Sequence, residues 1–485
     1  MVLKKGLILL MIAALSVSSG CRTVRAPGTP LTSWFPTETI QKKFSTNEIW
    51  GSLQKRKADA SGSLDIGDLI DMALSNNPRT HQAWEEARVM EARAIQSSSA
   101  WFPTVQATMG AEYRRSVVNR HKVNVNQSGY GPGASVDWLI FDFGGRSAGV
   151  EKARQLLIEA NFEFNQAIQD VLLDTMNAYY SIMANIAMVD AREDDVADSL
   201  KSFDDARERL KAGLVSKLDE LQAESSYKRA LYALEDAKRA LSSAKTDLAV
   251  VLGLPANVDI ELAEMDGEDT PDISEQDVAL LIEQALRQRP DIAAGRAGLE
   301  AKKSEIVRVT SDLLPSLKAG GSAETNWYTY YGAMKDTLTS YKDDYLYGGY
   351  LKLEWDVFDG FNNYYRRKEA QRELEAEQQK LISAHLNASR EVWDSYFAFV
   401  SAGKKYEYSK AFLDTAEMSY DIALEGYRSG LKNIIDLLSS QSQLSDARSK
   451  FIQSKQELFS GSAGLFHAIG SLTAEHDNRE GILRP

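Results

Sequence analysis

The sequence predicts a mainly α-helical chain with a small β part, built as a two-fold internal repeat. Three observations predict it. Short motifs recur at a fixed spacing: Pro78 and Pro290 lie 212 residues apart, as do Trp101-Phe102-Pro103 and Leu313-Leu314-Pro315. Further on the spacing becomes 217. It relates Trp138-Leu139-Ile140-Phe141-Asp142 to Trp355-Asp356-Val357-Phe358-Asp359, and Gly213, Asp219 and Gly253 to Gly430, Asp436 and Gly470. Long stretches hold no proline, 144–254 in the first half and 316–484 in the second. In each half, segments near the start of these stretches alternate apolar and polar residues, the period of a strand. Two copies make a duplication and not a solenoid array. The second copy carries five extra residues between Pro315 and Trp355.

The amino end comes first. Lys4 and Lys5, an apolar run over 7–15 and small residues up to Gly20 predict a secretory signal over 1–20. The run is too short to span a bilayer, and no later segment has about twenty consecutive apolar residues. The sequence Ser18-Ser19-Gly20-Cys21 resembles a bacterial lipoprotein processing site, in which Cys21 becomes the acylated first residue. The usual Leu three places before the cysteine is Ser18 here. The rival reading is an ordinary signal with a chance cysteine. Residues 21–63 read as a lipid-anchored linker.

Repeat 1 is expected over 64–256 and repeat 2 over 277–470, joined by a linker over 257–276 and followed by a polar tail over 471–485. Each repeat opens with an amphipathic helix, roughly 64–100 and 278–313, stopped by a proline. Two strand-like segments follow. Then comes a long helix in which Phe164, Ile168, Val171, Ala178, Ile182, Ile186 and Val189 step mostly by threes, fours and sevens. A single helix over 144–211 would be about 100 Å long at ~1.5 Å per residue. Such a helix must pack sideways against others like it. It breaks at Gly213-Leu214-Val215, and its counterpart at Gly430-Leu431. Both glycines suit a left-handed helix end. Ser216 and Asn433 are candidate N-caps for the returning helices. Each repeat therefore closes with a helical hairpin.

The clearest strand is expected over 345–357. Tyr347, Gly349, Leu351, Leu353, Trp355 and Val357 share one face, and Lys352, Glu354 and Asp356 the other. In the first half Ala134, Val136, Trp138 and Ile140 oppose Ser135 and Asp137. Alternation with aromatics at the ends fits the wall of a membrane β-barrel, and a half-buried soluble sheet alternates too. Four strands cannot close on themselves, and lipid tolerates no open sheet edge. In a membrane, two chains would give eight strands with a filled lumen, and three would give twelve with room for a pore.

From about Leu64 to Gly470 the chain resembles the TolC-type outer-membrane efflux proteins. The resemblance rests on the two-fold repeat, the proline-bounded strand pairs, and Phe141-Asp142-Phe143-Gly144-Gly145 with Phe358-Asp359-Gly360. It also rests on the tip patterns Arg209-x-x-x-Gly213-x-x-x-x-x-Asp219 and Tyr427-x-x-Gly430-x-x-x-x-x-Asp436. It implies a homotrimer whose four strands per chain make one shared β-barrel in the outer membrane, above a long α-helical coiled-coil barrel in the periplasm. It implies a passive exit duct, partnered by a periplasmic adaptor at the hairpin tips and by an inner-membrane pump or ABC transporter. By position, Asp219 would face Tyr427 and Lys432 across neighbouring hairpins, and Asp436 would line the periplasmic aperture. The family's second aspartate, one turn later, is Ser439 here.

Other classes are excluded or weaker. A net charge of −13 argues against a nucleic-acid partner, since phosphate contacts need clustered Lys and Arg. One cysteine permits no intrachain disulfide, and no two of the five histidines make a metal-binding helix spacing. No phosphate-binding loop or nucleophile–base set emerges, so no enzyme and no cofactor are expected. Asp194-Asp195 and Asp204-Asp205 read as solvated helix surface. The rival from another class is a periplasmic coiled-coil tether. A tether needs neither alternating aromatic strands nor matched hairpins.

Overall fold

The computed structural model describes residues 64–118, 123–258, 260, 262, 277–331 and 343–472. The signal segment, Cys21 and all but the start of the polar tail lie outside the described residues. Among the described residues, no helix is long and apolar enough to cross a membrane.

Each predicted opening helix is in fact two. Helix α1 covers Ile66–Asn76 and α2 covers Pro78–Ser98. Asn77 between them is extended, with φ −66° and ψ 127°, because a residue before proline is barred from helical geometry. Pro78 occupies the first turn of α2, where its missing N–H is no loss. The Asn77 side chain then accepts from the Arg79 N–H at 2.8 Å. The second half breaks the same way at Arg289, between α5 (Val278–Gln288) and α6 (Pro290–Ser311). Pro78 and Pro290 thus start helices, and Pro103 and Pro315 follow helix ends.

Strands β1 (Thr104–Val118), β2 (Val123–Phe141), β3 (Ser316–Tyr331) and β4 (Asp343–Glu354) form one antiparallel sheet in chain order. β4 stops at Glu354, short of the predicted 357. Glu354 pairs with Ser316, the first residue of β3, so the ladder has no partner beyond it. The register gathers Val105, Met109 and Tyr113 of β1, Tyr130 and Val136 of β2, Trp327 of β3, and Tyr347 and Leu351 of β4 onto one face. Met109 is 80% exposed and Tyr347 is 83% exposed. Among the described residues, no helix packs on this face. The opposite face carries Gln106, Ser135, Asp137, Lys318, Ser322 and Lys352, with Lys318 paired to Glu354 at 2.5 Å.

The sheet is tied to the helices by a repeated contact. The Trp138 Nε1–H donates to the Trp101 carbonyl at 3.0 Å, and the Trp355 Nε1–H donates to the Leu313 carbonyl at 3.1 Å. Each indole joins the end of a strand pair to the last turn before a proline.

The long helices follow. α3 (Gly145–Lys211) and α7 (Asn362–Arg428) have 67 residues each, about 100 Å at ~1.5 Å per residue. α4 (Lys217–Val251) and α8 (Ile434–Ile469) return alongside them. A hydrophobic core joins α1, α3, α4 and α8 through Leu69, Val171, Tyr180, Leu248 and Phe459. Tyr180 and Phe459 stack at 5.3 Å between ring centroids.

Candidate functional site at the helical tips

Both tips fold as their sequences direct. Gly213 and Gly430 take left-handed φ values of 74° and 80°, which glycine adopts without a Cβ penalty. Each closes its long helix. The Leu214 N–H donates to the Arg209 carbonyl at 2.9 Å, and the Leu431 N–H to the Gly426 carbonyl at 2.8 Å. Ser216 and Asn433 then cap the returning helices. The Asp219 N–H donates to Ser216 Oγ at 3.3 Å, and the Asp436 N–H to Asn433 Oδ1 at 2.9 Å. The carboxylates of Asp219 and Asp436 accept in return from the Ser216 and Asn433 N–H groups, completing two capping boxes. Both aspartates of the expected gate therefore have a local task within their own helix. Asp436 remains exposed and Asp219 half-buried.

Tyr427 is 1% exposed, packed within its own chain and not presented to a neighbour. Burial raises its hydroxyl pKa. Lys432 is exposed, and within the chain no ion pair joins it to Asp219 among the described residues. The first residues of the two tip patterns, Arg209 and Tyr427, are what link the hairpins. Arg209 of α3 reaches across to α7. Its Nη1 donates to the Tyr427 and Arg428 carbonyls at 2.7 and 2.9 Å, and its guanidinium lies 5.0 Å from the centroid of the Tyr427 ring. A cation at the last carbonyls of a helix also complements the helix dipole. Arg428 answers with an ion pair to Asp205 at 2.9 Å, and the Asp205 hydrogen bond raises the Arg428 pKa. Asp205 thus bridges hairpins and is not merely solvated.

The tips also expose apolar side chains. Leu431 is 85% exposed, and Leu214, Leu218 and Ile435 are exposed beside it, while Val215 is half-buried.

A second polar cluster lies higher on the hairpins. Asp195, 6% exposed, accepts from Arg192 and Arg448, each at 2.9 Å, and from the Ser445 hydroxyl at 2.6 Å. Arg448 also pairs with Asp198 at 3.3 Å. Arg192 donates further to the Ser445 and Ser449 hydroxyls. Burial raises the Asp198 pKa, though Arg448 opposes the shift. Burial works against the charge on Arg448, and the Asp195 hydrogen bond together with the surrounding carboxylates outweighs it, so its pKa is raised. Adjacent acids on a long helix look solvated in sequence, yet Asp195 is buried against α8.

Comparison with known proteins agrees with this architecture. A family model described as outer membrane efflux protein matches residues 69–254 and 281–471. Protein CyaE of Bordetella pertussis is 26% identical over 420 residues, covering 86% of each chain. Outer membrane protein TolC of Escherichia coli is 21% identical, over 85% of this chain and 83% of its own. The pyoverdine export outer membrane protein OpmQ of Pseudomonas aeruginosa is 23% identical, over 97% of this chain and 98% of its own. Among solved structures, the outer-membrane channel OprN superposes with a TM-score of 0.73 at 19% identity, covering 93% of this chain and 99% of that one. The chain belongs to the outer membrane efflux protein family.

Proposed function

We propose that the protein is the passive exit duct of a tripartite efflux or type I secretion system, gated at its periplasmic helical tips. The observation that carries this reading is the sheet. Among the described residues one face is largely apolar and uncovered, the other is mostly polar, and neither edge strand pairs on its outer side. The apolar stretch of β1 from Val105 to Tyr113 has the length of a membrane strand, which needs about nine to eleven residues. Three copies would bring twelve strands, enough to close a barrel with an aqueous lumen. The element order helix, helix, strand, strand, long helix, helix occurs twice, which supports descent by internal duplication. The barrel would then sit on a tube of twelve long helices.

On this reading the homotrimer sits in the outer membrane against lipid and reaches into the periplasm, anchored in addition by an acyl chain on Cys21. A periplasmic adaptor docks on the apolar tip formed by Gly213, Leu214, Val215, Gly430 and Leu431. An inner-membrane pump or ABC transporter supplies the energy. Asp436, three times repeated around the aperture, repels anions, and Asp219 with Lys432 can pair between neighbouring chains. Conductance of the purified protein in planar bilayers tests the duct. Steps of ion current that grow on weakening the tip are expected. A protein that never conducts, even then, would be a tether.

A further inference from the structure

The polar face of the sheet carries the same three-residue row twice. The register sets Asp137 of β2, Gly320 of β3 and Tyr350 of β4 side by side. It also sets Glu112 of β1, Gly129 of β2 and Tyr328 of β3 side by side. Each row reads acid, glycine, tyrosine across neighbouring strands. In the first row the Tyr350 hydroxyl donates to the Asp137 carboxylate, two strands away. Neighbouring strands lie about 4.8 Å apart, so the side chain reaches Asp137 only by lying flat on the sheet, over Gly320. A Cβ on Gly320 would stand 2.6 Å from two ring carbons of Tyr350 and 2.7 Å from its hydroxyl oxygen. In the second row a Cβ on Gly129 would stand 2.6 Å from two ring carbons of Tyr328, with Cγ of Glu112 3.7 Å away on the other side. Nonbonded carbons settle about 3.5–4.0 Å apart, so only glycine leaves room for either ring.

We propose that these two rows set the bore of the duct: the glycine recesses take the tyrosine rings out of the lumen, and Gly129, Gly320, Tyr328 and Tyr350 thereby limit the size of cargo that the barrel passes. The inference rests on the shared-barrel reading, which turns the polar face inward, and adds the residues that decide size. On β2 the rows are separated by the stretch from Gly129 to Asp137, about 26 Å at ~3.3 Å per residue. One row thus lies near the helical end of the sheet and the other toward its far end, and three chains would repeat each row around the lumen. A methyl group at either glycine fills the recess from below. The ring, at the end of a flexible side chain, is then the part that moves. Lys318 and Ser322 flank Gly320 along β3 on the same face, so the displaced Tyr350 ring rises into the lumen. Removing a ring that already lies flat frees no bore.

The test records single-channel conductance of the full-length protein in planar bilayers, with polyethylene glycols of graded size added on the sheet side. A polymer that enters the barrel lowers the conductance, so the series reads the largest polymer admitted. Gly129→Ala and Gly320→Ala should each admit only smaller polymers than the native protein. Tyr328→Ala and Tyr350→Ala should keep the native limit. Combining each glycine substitution with its own tyrosine truncation should restore that limit. A glycine variant with the native limit overturns its row. A reduced limit that the truncation leaves in place also overturns it, because the methyl group would then act through the strands and not through the ring. Where a glycine variant does not assemble, the truncations decide: a native limit supports the recess, and a raised one shows that the ring already stood in the lumen and overturns it. A native protein that never conducts overturns the duct and the rows with it, whereas the other adverse results overturn the rows alone.

Discussion

Arg209 ties the two hairpins together within one chain, and on the proposed gate Arg209→Ala measures how much that tie holds the tip closed. The substitution removes two charge-assisted hydrogen bonds to the Tyr427 and Arg428 carbonyls and the cation over the Tyr427 ring. A hydrogen bond from a charged group contributes about 1.5–3 kcal/mol and a cation–π contact about 0.5–2 kcal/mol. Both carbonyls share one guanidinium nitrogen and the side chain is only half-buried, so the lower ends apply, and the loss is about 2–3 kcal/mol per chain. At about 1.4 kcal/mol per factor of ten, the closed-to-open ratio falls roughly 30- to 150-fold. Arg209→Lys should recover only part of this, because an ammonium lacks the planar fork and the stacking surface. Planar-bilayer recordings at fixed voltage read the outcome as a larger mean current. Thermal unfolding of the same sample confirms that the fold survives. A well-folded Arg209→Ala protein with native conductance would falsify the role of this contact in holding the tip shut.

Other expectations follow from the same structure. Trp138→Phe and Trp355→Phe each delete one indole hydrogen bond between sheet and helix, so each should cost about 1 kcal/mol in unfolding measurements; the two sites are equivalent by the internal repeat, so one sensitive and one silent variant would contradict that equivalence. Glu305, held by Arg308 and Lys152, has its carboxyl pKa lowered from 4.5 to about 2. A depressed pKa gives stability that is present above the unfolded value and lost as pH falls from about 4.5 toward 2. Glu305→Gln should therefore cost about 1–2 kcal/mol at pH 7, discounted for partly exposed partners, and nothing near pH 2. A gap between the two proteins that persists at pH 2 would assign the effect to packing. Leu431→Asp should weaken adaptor capture at least tenfold, since burying a leucine contributes about 1.5–3 kcal/mol, while conductance stays native. Unchanged capture would move the docking surface elsewhere.

Much of this fold is legible in the sequence because its signals are local. Gly213 and Gly430 mark the hairpin tips, and Ser216 and Asn433 the returning helices, through backbone chemistry that needs no distant partner. Aromatic alternation finds the strands for the same reason. The misplaced features depend on partners far along the chain. The end of β4 is set by where β3 begins, at Ser316. The opening helix reads as one run over 64–100, yet it breaks at Asn77 and restarts at Pro78 as α2, which packs on α3. The site was harder still. Tyr427 is assigned to a gate by its position in a pattern, but it lies buried in the tip core with the Arg209 guanidinium, 218 residues away, over its ring. Asp195 resembles Asp194 in sequence, and only Arg448 and Ser445, both from the other hairpin, distinguish it.

The bare edges of β1 and β4 have a consequence for biogenesis. A single chain cannot dissolve its sheet in lipid, because two rows of unpaired backbone groups would enter hydrocarbon with it. On the proposed shared barrel, chains therefore meet before, or while, they cross into the bilayer. Insertion should then depend on subunit concentration more steeply than first order. A copy with an intact sheet and a crippled edge would act as a dominant poison, sequestering normal partners at the membrane surface.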